Sequence, residues 1–95
     1  MCLSHIDKEV METHMKYQRK LILEYEEKGY FVVSLIRLSK NGLPDLMLIK
    51  DGEVSFIECK EGNDRLSELQ KYRIRQLREM GVEAKAMHKD KGVIY

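Results

Sequence analysis

Asp51-Gly52 sits between two short apolar runs, Leu46-Met47-Leu48-Ile49 and Val54-Ser55-Phe56-Ile57. Asp-Gly between such runs signals a two-residue β-hairpin, because both central residues of that turn must accept positive φ. The turn sets the register of both strands. Lys50 is expected opposite Glu53, Ile49 opposite Val54, Met47 opposite Phe56, and Asp45 opposite Glu58.

Directly opposed residues of an antiparallel pair share a face with Cβ atoms about 4.5–5.5 Å apart, where like charges repel. Asp45 and Glu58 at that spacing therefore need a compensating cation. Hard, oxygen-seeking ions such as Mg²⁺ are held by one or two carboxylates with water and phosphate oxygens. Strand residues two apart share a face, so Lys60 is expected beside Glu58, with the Cys59 side chain on the opposite face.

The flanking segments read as helices and strands around this hairpin. Residues 7–28 lack Gly and Pro, can be capped by Ser4 or Asp7, and place Met11, His14, Gln18, Leu21, Ile22 and Tyr25 on one helical face. Tyr30–Leu38 is an apolar, β-branched strand, and Ser39–Gly42 a turn. Asp64 is expected to cap a second helix that runs to about Met80 and stops at Gly81, with Leu66, Leu69, Gln70, Arg73, Leu77 and Met80 facing inward. Met80 and Met87 are most economically core. Val82–His88 returns as a strand, and Gly92–Tyr95 adds a short one. The expected architecture is a compact α/β domain in the order α-β-β-β-α-β, spanning residues 1–95 without internal repeat or linker.

The set Pro44-Asp45…Glu58-Cys59-Lys60 resembles the active-site pattern of the PD-(D/E)XK nuclease superfamily. Gly42-Leu43-Pro44-Asp45-Leu46, Phe56-Ile57-Glu58-Cys59-Lys60 and Arg65-Leu66-Ser67-Glu68-Leu69-Gln70 are similar, in order and spacing, to the virus-type replication-repair nuclease (VRR-NUC) family. The resemblance implies a restriction-endonuclease-like core, with a central mixed sheet flanked by helices. It also implies metal-dependent cleavage of DNA phosphodiesters, with Mg²⁺ or Mn²⁺ held by Asp45, Glu58 and the Cys59 backbone carbonyl. Lys60 would act on water or on transition-state charge, and Gln70 would orient a phosphate or a metal-bound water. Such chemistry needs a Lewis acid and a water made nucleophilic near neutral pH, which a carboxylate-held metal supplies. Each residue taken singly reads better as structural, with Lys60 bridging to Glu58 in a surface ion pair and Asp45 opening the strand after Pro44; the set together with Gln70 carries the active-site reading.

The first helix departs from the family pattern. These nucleases commonly carry a helix Glu four residues before a Gln or similar residue. Here His14 stands four residues before Gln18, and Glu12 points away. Either His14 takes the ligand role, which would favour Mn²⁺ because nitrogen ligands suit the later ion, or it only supports the site from outside.

Overall charge does not advertise nucleic-acid binding, since 17 Lys plus Arg against 16 Asp plus Glu leave +1. Any basic surface must be local, and Lys71, Arg75 and Arg78 form one stripe. A solvated face paired with Glu68 and Glu79 is an equally good reading of it. Two cysteines make neither a disulfide framework nor a zinc set. With no membrane-length apolar run and no signal peptide, a cytoplasmic protein of a bacterial or virus-infected cell is expected. Family likeness points to branched DNA such as a Holliday junction, cut by a homodimer, because one site per chain cannot make two coordinated cuts. The alternative is a non-catalytic nucleic-acid-binding or assembly module on the same fold. RNA is not distinguished from DNA, since no residue points to readout of a 2′-hydroxyl.

Overall fold

The computed structural model describes residues 16–35 and 42–95. Its elements in chain order are α1 (Lys16–Glu27), β1 (Phe31–Ser34), β2 (Leu46–Lys50), β3 (Glu53–Lys60), α2 (Glu68–Glu79), β4 (Glu83–His88) and β5 (Gly92–Val93). The strands form one mixed sheet in the order β1-β2-β3-β4-β5. This is the expected α/β order with a short fifth strand added. No helix among the described residues is long and apolar enough to cross a membrane.

The hairpin forms as its turn chemistry dictates. Asp51 and Gly52 both take positive φ, 53° and 78°, and the ladder pairs Lys50 with Glu53, Ile49 with Val54 and Met47 with Phe56. β3 and β4 run parallel, which requires a crossover, and α2 supplies it. The sheet is therefore covered on both faces. On one, Tyr17 and Leu21 of α1 pack on Leu46, Leu48 and Ile57, with Cys59 and Met87 alongside. On the other, Ile74 of α2 packs on Ala84 and Ala86, with Phe56, Leu66 and Leu77 around it.

Alternation along β3 then has a direct consequence. Ile57 and Cys59 face α1, while Phe56, Glu58 and Lys60 face α2. The polar end of that second face is where the chemistry can sit.

Three expectations need correction. Asp64 does not cap α2. Ser67 does, its hydroxyl accepting the Gln70 N–H while the Gln70 side chain accepts the Ser67 N–H, a reciprocal capping box. The inward stripe also turns: Ile74 is fully buried, whereas Leu69 and Met80 are exposed. Two small alanines on β4 leave room for one large side chain, and Ile74 fills it. Leu69 instead flanks the close approach of Gly42, where an added Cβ would fall 2.6 Å from the Leu69 Cγ. The strand expected over Tyr30–Leu38 is regular only from Phe31 to Ser34, and residues 36–41 lie outside the described residues.

Candidate active site

Asp45 lies one step beyond the last cross-strand pair, Leu46 with Ile57. Its carboxylate Oδ2 accepts the Cys59 N–H at 2.8 Å, so a side chain takes over the hydrogen bonding that the backbone ladder provides further along. The Asp45 carbonyl meanwhile accepts the Leu35 N–H at 2.7 Å, and Pro44 beside it is fully buried. Asp45 is thus fixed from three sides at the edge of Glu58.

Glu58 and Lys60 are almost wholly removed from water, at 3% and 8% relative exposure. Lys60 Nζ stands 3.5 Å from Glu58 Oε2, and the Gln70 amide nitrogen donates toward the same oxygen at 3.4 Å. Because the Gln70 carbonyl oxygen is already committed to the Ser67 N–H at 2.9 Å, the cap dictates which end of the amide points at Glu58. The helix start and the carboxylate are mechanically one unit.

Burial pushes the Glu58 carboxyl up to about 8. The neighbouring Asp45 charge and a hydrogen bond with Asp45 add to the rise, and Lys60 only partly offsets them. Below that pH Glu58 holds its proton, and the contact of Lys60 is to a neutral carboxyl. Above it a full ion pair forms. A buried carboxyl and a buried ammonium beside a second carboxylate make a poor way to stabilise a sheet, since desolvation costs more than a well-packed apolar cluster would. Groups so perturbed in a cleft mark functional sites.

The Cys59 thiol belongs to the other face. Burial pushes it far above its ordinary range, with Asp45 and Glu58 adding to the rise, so it packs as an apolar group rather than acting as a nucleophile.

These groups open into a pocket of about 350 Å³ lined by Asp45, Glu58, Cys59, Lys60 and Gln70. Gln18, Glu61 and Asp64 complete the lining. Gln18 is buried and donates to the Ser34 hydroxyl at 2.9 Å, tying α1 to the β1 end of the site. Glu61 and Asp64 were not expected there, although their place immediately after Lys60 was a usable signal. A larger groove of about 790 Å³ lies at the hairpin end, lined partly by Tyr25, Tyr30, Lys50 and Glu83. It is remote from the carboxylates.

A family model for the VRR-NUC domain matches residues 7–90 of the chain. The chain belongs to the VRR-NUC family. No curated protein matches it. As a VRR-NUC protein it has a nuclease-type function, and the motif residues Asp45, Glu58, Lys60 and Gln70 converge on one pocket.

Among the described residues no three Asp, Glu, His or Cys side chains form a ready-made metal cage. Asp45 and Glu58 remain as a close oxygen pair with excess negative charge once deprotonated. That donor set fits a hard divalent ion whose other positions are filled by a carbonyl, water and phosphate oxygens. His14 lies outside the described residues. The basic stripe is largely engaged within the molecule: Lys71 pairs with Glu68 at 3.6 Å, and Arg75 donates to the Tyr95 hydroxyl at 2.6 Å. Arg78 donates to the Ala84 carbonyl at 2.8 Å and to the Tyr95 backbone oxygen, and stacks over the Tyr95 ring.

Proposed function

We propose that this VRR-NUC protein is a divalent-metal-dependent DNA endonuclease selective for branched structures such as four-way junctions, acting as a homodimer in replication or repair. The observation that carries this reading is the convergence of half-buried Asp45 on buried Glu58 and Lys60. Asp45, Glu58 and the Cys59 carbonyl would hold Mg²⁺ or Mn²⁺. The bound ion would neutralise phosphate charge and lower the pKa of water.

The chain's own residues supply the remainder. Glu58 must first give up its proton, so binding is coupled to deprotonation. Lys60 presents an ammonium donor that stabilises the negative charge gained by the phosphate in the transition state and orients the attacking water. Gln70 keeps the Glu58 carboxylate aimed while its own orientation is locked by the Ser67 cap. Burial of Glu58 and Lys60 removes competing water and strengthens each of these interactions. One pocket per chain makes one cut, and a two-fold dimer brings the second to a junction.

The test is incubation of the protein with linear, flapped and four-way DNA in Mg²⁺, in Mn²⁺ and in chelator. Metal-dependent cutting that favours the four-way substrate is expected. DNA binding without cutting in either ion would instead assign a non-catalytic binding module, and equal cutting of RNA would remove the DNA preference.

A further inference from the structure

We infer that His88 is a positioning residue for this site, holding the β3–α2 loop in place through the Gly62 carbonyl; the inference rests on the nuclease reading of the pocket. His88 ends β4 and pairs in register with Lys60, so it lies on the face of Glu58 and Lys60, and it is 4% exposed. Its ring is fully engaged. Nε2 lies 2.9 Å from the Gly62 carbonyl, which can only accept, so Nε2 carries the proton. Nδ1 accepts the Asp90 N–H at 3.0 Å and the Lys91 N–H at 3.4 Å.

One imidazole therefore joins two turns that follow the sheet's polar end. The first begins directly after Lys60 and carries Glu61 and Asp64, which line the pocket, before the chain reaches Ser67 and Gln70. The second follows β4, and its Lys89 N–H also binds the Lys60 carbonyl at 2.9 Å. Simple packing at this position needs no polar ring, and burying an imidazole costs desolvation that an aliphatic side chain avoids. The loop's own local support is modest: Gly62 sits at φ +59°, and a single turn bond joins the Asp64 N–H to the Glu61 carbonyl at 3.1 Å. His88 adds the one long-range tie from the body of the sheet to Gly62 among the described residues. A shift of about 1 Å in such a support can slow a reaction by about a hundredfold without touching the reacting atoms.

A merely structural histidine would pin the β4–β5 turn, and the two roles use different ring nitrogens. The carboxamide oxygen of Asn falls near the place of Nδ1 and can accept from the turn, whereas the amide nitrogen of Gln falls near Nε2 and can donate to Gly62. His88→Gln and His88→Asn thus each keep one half of the clamp. The experiment compares wild type and both variants by cleavage kinetics in Mn²⁺ and by amide hydrogen exchange at residues 61–66 in the metal-free protein. His88→Gln keeps the exchange protection and cleaves within about threefold of wild type. His88→Asn loses protection at residues 61–66, and its kcat falls by about tenfold to a hundredfold with KM unchanged. Nitrogen NMR of the wild-type ring should show the Nε2–H tautomer. Protection and rate retained in His88→Asn, losses in both variants that follow thermal stability alone, or a proton on Nδ1 would overturn the inference. A wild-type protein that cuts nothing would refute the nuclease reading, while exchange at residues 61–66 would still decide the role of His88.

Discussion

Asp45 and Cys59 are joined across the end of the hairpin by a carboxylate-to-backbone hydrogen bond of 2.8 Å, one step past the last regular pair of the β2–β3 ladder. The same side chain that finishes the sheet therefore also leans on Glu58. Asp45 has a structural duty and an electrostatic one, and the two can be separated by substitution.

Asp45→Ala leaves the Cys59 N–H without its acceptor and should cost about 1–3 kcal/mol of stability. Asp45→Asn keeps an acceptor oxygen and removes the charge. Urea unfolding should find Asp45→Asn within about 1 kcal/mol of wild type, while calorimetry finds Mn²⁺ binding lost in both variants. Equal destabilisation of the two would show that the charge, and not the hydrogen bond, holds this corner.

Glu58 makes stability depend on pH in an unusual direction. Its carboxyl ordinarily titrates at 4.5 and is raised to about 8 in the fold. Between those values the unfolded chain has released the proton that the folded chain still holds. Metal-free stability should therefore fall as pH rises from about 4.5 to 8, and Glu58→Gln should flatten the decline. Divalent-ion affinity should run the opposite way, rising up to about pH 8 as Glu58 releases its proton. Thermal melts and metal titrations across that range check both slopes.

Much of this site could be read from the chain because its geometry is local. Asp51-Gly52 sets a register, and counting outward brings Asp45 to Glu58 without knowledge of any distant contact. Alternation alone puts Lys60 with Glu58 and Cys59 behind them. The face of α2 was harder to read. Its rotation depends on Ala84 and Ala86 leaving space for Ile74, and on a loop residue, Gly42, crowding Leu69. Both are long-range facts that helical periodicity does not contain. Ser67 outcompeted Asp64 as cap because Gln70, three residues on, could complete the reciprocal box. The role of His88 was invisible for a similar reason, since a lone polar residue shows its value only once its partners are folded around it.

Gly42 gives a direct test of that crowding. Its φ is +79°, and a Cβ there would lie 2.6 Å from the Leu69 Cγ and 3.2 Å from both the Leu69 carbonyl carbon and the Arg73 Cγ. Gly42→Ala should lower stability by about 2–4 kcal/mol, combining backbone strain with overpacking. Gly52→Ala, at φ +78° with nothing within 4 Å, should cost only the backbone part, about 1 kcal/mol. Melting curves for the two single variants make the comparison.

Arg78 bridges α2, β4 and Tyr95, whereas Lys71 makes one ion pair with exposed Glu68. Arg78→Ala should destabilise the protein by about 1–2 kcal/mol, and Lys71→Ala by less than about 0.5 kcal/mol. Unfolding midpoints measure this. A variant of Arg78 with unchanged stability and weakened DNA binding would place the guanidinium on phosphate instead.

The most direct measurement of the central claim is the cleavage rate of Lys60→Ala on four-way DNA in Mn²⁺, with Mn²⁺ binding followed in parallel on the same protein. Lys60 is proposed to act on the reacting phosphate and water, and Asp45 and Glu58 to hold the ion. Cleavage should fall by about a hundredfold to ten-thousandfold while Mn²⁺ still binds. A Lys60→Ala protein that binds Mn²⁺ and cuts at the wild-type rate across pH, or wild-type cutting that persists in chelator, would contradict the account.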